Sequence, residues 1–185
     1  MELKPITIEI PKGIEVNIES STVKVKGTKG EVERTFINPR VEIKKEGEKI
    51  IISSKVERPK QADKNYIYTY QAHIKNLLNG IIEGYTAKLK ICSGHFPMQV
   101  TLEKDFVNIK NFLGRKVARK AQIMQGVKVN IQGDIIIVEG LEIEKVSQTA
   151  ARIEQATRLT KVDRRVFQDG CFIIEKPKRK KWINY

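Results

Sequence analysis

The strongest constraint on this chain is that its second half replays its first. Val16, Ile18 and Glu19 recur as Val100, Leu102 and Glu103 at an offset of 84, and the same offset carries Val23, Val25, Lys26 and Gly30 onto Val107, Ile109, Lys110 and Gly114. Further on, Val41, Ile43, Gly47 and Ile51 match Val127, Val129, Gly133 and Ile137 at an offset of 86, so one small insertion separates the two registers. Two copies are too few for a solenoid, and the pattern predicts an internal duplication giving two tandem domains. The expected boundaries are 1–84, 85–175 and a basic tail over 176–185.

Within each copy the apolar period changes once. Ile6, Ile8 and Ile10, then Ile14, Val16 and Ile18 after Lys12-Gly13, then Val23 and Val25, alternate with polar residues as strands do. Val32 to Phe36 continues the pattern, and Val41 and Ile43 face Ile50 to Ile52 across Glu46-Gly47-Glu48 as a hairpin. The step then becomes three and four: Tyr66, Tyr70, Ile74, Leu77, Leu78 and Ile81 predict a helix from about Ala62 to Asn79 or beyond, with Gly80 and Gly84 marking its exit. In the second copy Val146, Ala150, Ile153 and Thr157 predict the equivalent helix between Leu141 and Arg158, and Phe172 to Ile174 a final strand. The expected fold is α+β, two duplicated domains, each an antiparallel sheet packed against one helix.

The copies differ in charge. The formal net charge is +13, but residues 1–84 carry 15 Lys+Arg and 12 Asp+Glu, a balance of +3, while residues 85–185 carry 20 and 10, a balance of +10. Such a surplus on one folded half suits a polyanion, nucleic acid above all, better than an acidic small substrate. No apolar run approaches the ~20 residues of a membrane span, and the alternating charge of the first residues is not that of a secretory signal. Cys92 and Cys171 stand far apart without a companion cluster, so neither a disulfide framework nor a zinc site is expected, and a reducing cytosol is the simpler setting.

Two stretches concentrate the charge. Asn111-Phe-Leu-Gly114 precedes Arg115, Lys116, Arg119 and Lys120, and no acid occurs between Lys110 and Lys128, as would suit a segment lying along phosphates. The second stretch carries Arg158, Lys161, Arg164, Arg165, Lys176, Lys178, Arg179, Lys180 and Lys181. There, guanidinium forks match phosphate, and Phe167, if exposed rather than in the core, offers a stacking face to a base. Asp169-Gly170 reads as a turn, with Asp169 a turn residue or the partner of an arginine rather than a catalytic acid. Lys176 to Lys181 is a generic basic run that threads among phosphates or serves nuclear import.

Catalysis finds little to build on. His73 falls inside the first helix without a ligand-spaced companion. Cys92 and His95 are close in sequence but lack an orienting third group. Lys26-Gly-Thr-Lys-Gly30 lacks the spacing of a nucleotide-binding loop. Neither a cofactor nor a metal is expected.

Five segments, in register with the duplication, carry a resemblance that covers almost the whole chain: Ile10-Pro-Lys-Gly13, Lys26-Gly-Thr-Lys-Gly30, His95-Phe-Pro97, Asn111-Phe-Leu-Gly114 and Arg165-Val-Phe-Gln-Asp-Gly170. The chain resembles the large-subunit ribosomal proteins of the universal L-six family in their archaeal and eukaryotic form. It departs from them at Thr28, where a proline is usual, at Arg115, where an acid is usual, and at Cys171, where an aliphatic residue is usual; a buried free cysteine is a tolerable substitute there. The resemblance implies a structural protein, not an enzyme, that binds large-subunit rRNA chiefly through its second domain, near the sarcin–ricin loop and the stalk base. It also implies neighbouring ribosomal proteins as partners, no homo-oligomer, and a cytoplasmic location, with nuclear or nucleolar transit if the source is eukaryotic. Two alternatives stand beside it: a non-ribosomal RNA-binding or ribosome-assembly protein of the same fold, and an RNA-directed enzyme using Asp163, Asp169 and His95.

Overall fold

The computed structural model describes residues 5–19, 21–56, 58–160 and 162–177. The chain divides into two compact units, Met1–Gly84 and Tyr85–Tyr185.

Among the described residues of the first unit six strands precede one helix: β1 (Ile6–Glu9), β2 (Glu15–Glu19), β3 (Thr22–Gly27), β4 (Gly30–Thr35), β5 (Val41–Glu46), β6 (Lys49–Ser54) and α1 (Gln61–Ile82). The anticipated antiparallel strands divide into two sheets, β1-β6-β5 and β2-β3-β4. The Lys12-Gly13 turn passes the chain from one to the other, with Gly13 at φ +87°, a conformation that glycine adopts without steric cost. Strand alternation follows from the period of two: Val16, Val23, Val25 and Val32 are buried, while Glu15, Asn17, Lys26, Glu31 and Glu33 face water.

Helix α1 covers these strands with Ile67, Tyr70, Ile74, Leu77, Leu78 and Ile81. Tyr66, expected on that stripe, is 48 % exposed, because the stripe is centred on Ile67 and its neighbours three and four residues on. Asp63 lies one turn earlier on the buried face. The fork of Arg40 reaches its oxygens at 2.6 and 2.8 Å, and the Lys60 amide at 2.7 Å. The Arg40 bond first, then the Lys60 amide, hold the carboxyl below its usual range against the opposing effect of burial. Gly80 stays inside the helix, and Gly84 ends it at φ +77° with its amide donating to Gly80 O at 2.9 Å.

The second unit repeats the scheme as β7 (Tyr85–Cys92), β8 (Gln99–Glu103), β9 (Phe106–Lys110), β10 (Arg119–Gln122), β11 (Val127–Gln132), β12 (Ile135–Gly140) and α2 (Ile143–Ala156), then adds β13 (Gly170–Glu175). Its sheets are β10-β9-β8 and β11-β12-β7-β13. The added strand lies antiparallel to β7, Gly170 opposite Cys92 and Phe172 opposite Lys90. Its Cys171 is fully buried in the core with Leu89, Ile109, Phe112, Ile136, Val146 and Ile153. Each such aliphatic side chain contributes about 1.5–3 kcal/mol by leaving water. Burial, with Cys92 nearby, pushes the Cys171 thiol up to about 12, so it behaves as the small hydrophobe expected there.

The insertion implied by the two offsets has a definite place. Strands β3 and β4 are joined by Thr28-Lys29 alone, whereas β9 and β10 are joined by residues 111–118. Gly30 opens its strand directly; Gly114 sits inside the longer loop, ahead of β10. The basic loop is longer by six residues: two are the net insertion, and the other four are offset by a shorter β9, a shorter β10 and a shorter link to β11. Among the described residues no helix is long and apolar enough to cross a membrane, and no group of three or more His, Cys, Asp or Glu side chains is placed to hold a metal ion.

Candidate nucleic-acid interface

Three loops of the second unit, distant in sequence, are tied together by named contacts. They are residues 93–98 after β7, residues 111–118 between β9 and β10, and residues 157–169 between α2 and β13.

The first tie is Asp169. Its carboxylate accepts from the Gly94 amide at 2.8 Å and the His95 amide at 3.2 Å, and lies 3.1 Å from His95 Nδ1. The residue is 4 % exposed. Burial works to raise its carboxyl, but the Gly94 amide, the His95 ring and the His95 amide together outweigh that and hold it below the usual carboxylate range. The His95 ring in turn stacks on Phe167, centroids 4.9 Å apart with planes 29° from parallel.

The second tie joins loops 93–98 and 111–118. Asn111 Nδ2 donates to Pro97 O at 2.9 Å, and the Phe96 ring lies where a Cβ on Gly114 would be 3.4 Å away. The loop turns through three left-handed residues, Asn111 at φ 57°, Leu113 at φ 51° and Gly114 at φ 71°. Asparagine and glycine tolerate this region; leucine does so at a cost of order 1–3 kcal/mol. Leu113 packs against the core of the unit, which offsets that cost.

The third tie is Arg119, which closes the basic loop on the helix. Its guanidinium lies 4.3 Å from the Phe112 ring centroid and donates through Nη1 to Ala156 O at 2.7 Å and Arg158 O at 3.3 Å. These carbonyls lie at and just beyond the C-terminus of α2, where unpaired acceptors and the helix dipole favour a cation. Burial, and then the nearby Arg115 charge, lower its pKa. Arg119 is thus a brace inside the fold, a role that its place in a basic run did not announce.

The remaining candidate residues sort by what already occupies them. Arg115, Lys116, Lys120, Arg158, Arg164 and Lys176 are exposed. Arg165 is exposed too, but its fork holds Asp163, Nη2 to Oδ2 at 2.9 Å and Nε to Oδ1 at 3.2 Å, and this partner holds the Asp163 carboxyl below its usual range. Gly170 is buried, with a Cβ there 3.2 Å from Thr157 Oγ1. Its lack of a side chain lets the start of β13 lie close to Thr157 at the end of α2. Phe167 is neither core nor bare: it is partly buried, with His95 on one side. Asp169 pairs with a histidine and two amides, not with an arginine. Lys161, Lys178, Arg179, Lys180 and Lys181 lie outside the described residues.

The reading of Asp163, Asp169 and His95 as acid–base groups finds no support here. Asp163 is taken up by the Arg165 fork; Asp169 does orient the His95 ring as a carboxylate orients a general base, but that ring stacks on Phe167, and among the described residues no hydroxyl or thiol is hydrogen-bonded to it. Sequence reasoning set His95 aside as a weak catalytic candidate and missed its structural task; its membership of His95-Phe-Pro97 was the available signal.

Between α2 and the 162–169 loop lies an open cleft of about 1030 Å³. Arg158 and Arg164 stand at it with His95, Phe167, Gln155 and Phe172. Among the described residues no carboxylate is within ion-pair distance of either arginine.

Comparison with known proteins adds a family. The model of the family described as Ribosomal protein L6 matches twice, over residues 10–84 and 96–170, once in each copy of the duplication. Among curated relatives, the Large ribosomal subunit protein uL6 of Sulfurisphaera tokodaii is 49 % identical over 91 % of this chain and 90 % of its own length. Those of Ignicoccus hospitalis, 45 % identical over 90 % and 91 %, and Methanocella arvoryzae, 43 % identical over 91 % and 95 %, are similar to it over the same extent.

Proposed function

This chain belongs to the ribosomal protein L6 family, and from that premise we propose that it is a structural component of the large ribosomal subunit whose second unit holds rRNA. It works in the cytoplasm without chemistry of its own. Its partners are large-subunit rRNA and neighbouring ribosomal proteins, and its place is beside the sarcin–ricin loop and the base of the factor-binding stalk.

The observation that carries this reading is the convergence of three family-like segments, through the Asp169–His95 and Asn111–Pro97 contacts, on the half of the chain with the +10 balance. The loops are pinned by side chains that point inward, which leaves Arg115, Lys116, Lys120, Arg158 and Arg164 exposed around them. A polyanion meeting them releases counterions, and rigid presentation lowers the ordering cost of each contact. Phosphate contacts of this kind position the protein, while base contacts specify the site.

With about six cations meeting phosphate, the slope of log K against log salt for binding to large-subunit rRNA is expected to be about −4 to −5. A slope near zero would remove the reading. A structural constituent should also remain with large subunits through a high-salt wash, where a transient assembly protein is released.

A further inference from the structure

We infer that the cleft between α2 and the 162–169 loop receives one unstacked nucleotide of the bound RNA, its base against the Phe167–His95 stack and its phosphates on Arg158 and Arg164. This rests on the rRNA reading and deepens it by naming what the site holds.

The cleft combines the two chemistries an extruded nucleotide needs. Phe167 and His95 are already stacked 4.9 Å apart, and a base added to that stack gains contact without the protein having to order a ring first. Asp169 fixes the His95 end of the stack through the ring and amide bonds. Arg158 and Arg164 border the same cleft with no carboxylate partner among the described residues, unlike Arg165, whose fork Asp163 fills. Gln155, exposed at the cleft, supplies an amide able to donate to and accept from a base edge. The volume of about 1030 Å³ is ample for a base with its sugar and flanking phosphates. A duplex presents no free base face, so the geometry selects a bulged or looped nucleotide.

The test uses the full chain and deproteinised large-subunit rRNA. Phe167→Leu keeps an apolar side chain but removes the stacking face; Phe167→Trp restores one. Thermal melts of both variants confirm folding. Phe167→Leu is expected to weaken binding about 5- to 50-fold with the salt slope unchanged, since base stacking is not an ionic contact. Phe167→Trp should bind within about threefold of the parent. Probing with dimethyl sulfate for A and C and with a carbodiimide for U and G should show one unpaired base protected by the parent and exposed with Phe167→Leu. Affinity within twofold of the parent for a folded Phe167→Leu, with unchanged base protection, would overturn the inference while leaving the rRNA reading in place. Failure of the parent chain itself to bind the rRNA would remove both.

Discussion

His95 Nδ1 lies 3.1 Å from Asp169 Oδ1, although 74 residues separate them in sequence. That one contact joins the loop after β7 to the loop before β13, and with the Gly94 and His95 amides it satisfies a nearly buried carboxylate. Asp169→Asn places an amide NH2 or a single carbonyl where two backbone donors and a ring converge. It should destabilise the full chain by about 1–3 kcal/mol, the cost of leaving buried donors unpaired. Urea denaturation of parent and variant measures the difference.

The same carboxylate has a pH signature. Its folded pKa is depressed, so its contribution to stability is fully present above the unfolded value of about 4 and is lost as pH falls through the lower folded value. The stability gap between the parent and Asp169→Asn should therefore shrink as pH drops below about 4. A gap that instead went on widening below about pH 4 would contradict the assignment.

Arg119 and the loop cations separate by opposite readouts. Arg119→Gln removes the charged donor to the Ala156 and Arg158 carbonyls, and should cost about 1.5–3 kcal/mol in urea melts. Its salt slope for RNA binding should match that of the parent.

The double variant Arg115→Gln, Lys116→Gln should do the reverse. Both side chains are exposed, so stability should move by less than about 0.5 kcal/mol. The salt slope should become shallower by about 1.4–1.8, the loss of two phosphate contacts.

Gly170→Ala tests the close approach of β13 to α2. Its Cβ would lie 3.2 Å from Thr157 Oγ1 and 3.4 Å from the Phe172 ring, on a backbone at φ +154°. The Thr157 hydroxyl also accepts the Cys171 amide at 2.9 Å, so it cannot retreat freely. A loss of about 1–2 kcal/mol is expected by thermal melting.

The duplication, the strand and helix order and the charge asymmetry were legible because they depend on local period and composition. Val16 and Val100 announce the same strand wherever they stand, and Val146, Ala150 and Ile153 mark one helix face by spacing alone. The division of each repeat into two sheets was not legible, because partner choice between β1 and β6 or β2 and β3 is a tertiary matter. Tyr66 was misplaced because a stripe of step three and four can be drawn through either Tyr66 or Ile67. At the site, Arg115 and Lys116 could be found from charge, but Arg119 could not be told from them, since the carbonyls it braces are 37 residues away or more. His95 and Asp169 were visible only as separate motifs.

The central claim is that the second unit, through loops 111–118 and 157–169, is the part that holds rRNA. Ultraviolet crosslinking of intact large subunits, with crosslinked peptides and nucleotides both mapped, tests it most directly. The expected result is crosslinks to large-subunit rRNA concentrated between residues 111 and 120 and between 158 and 168. Crosslinks confined to residues 21–56 of the first unit, with none in the second, would contradict it.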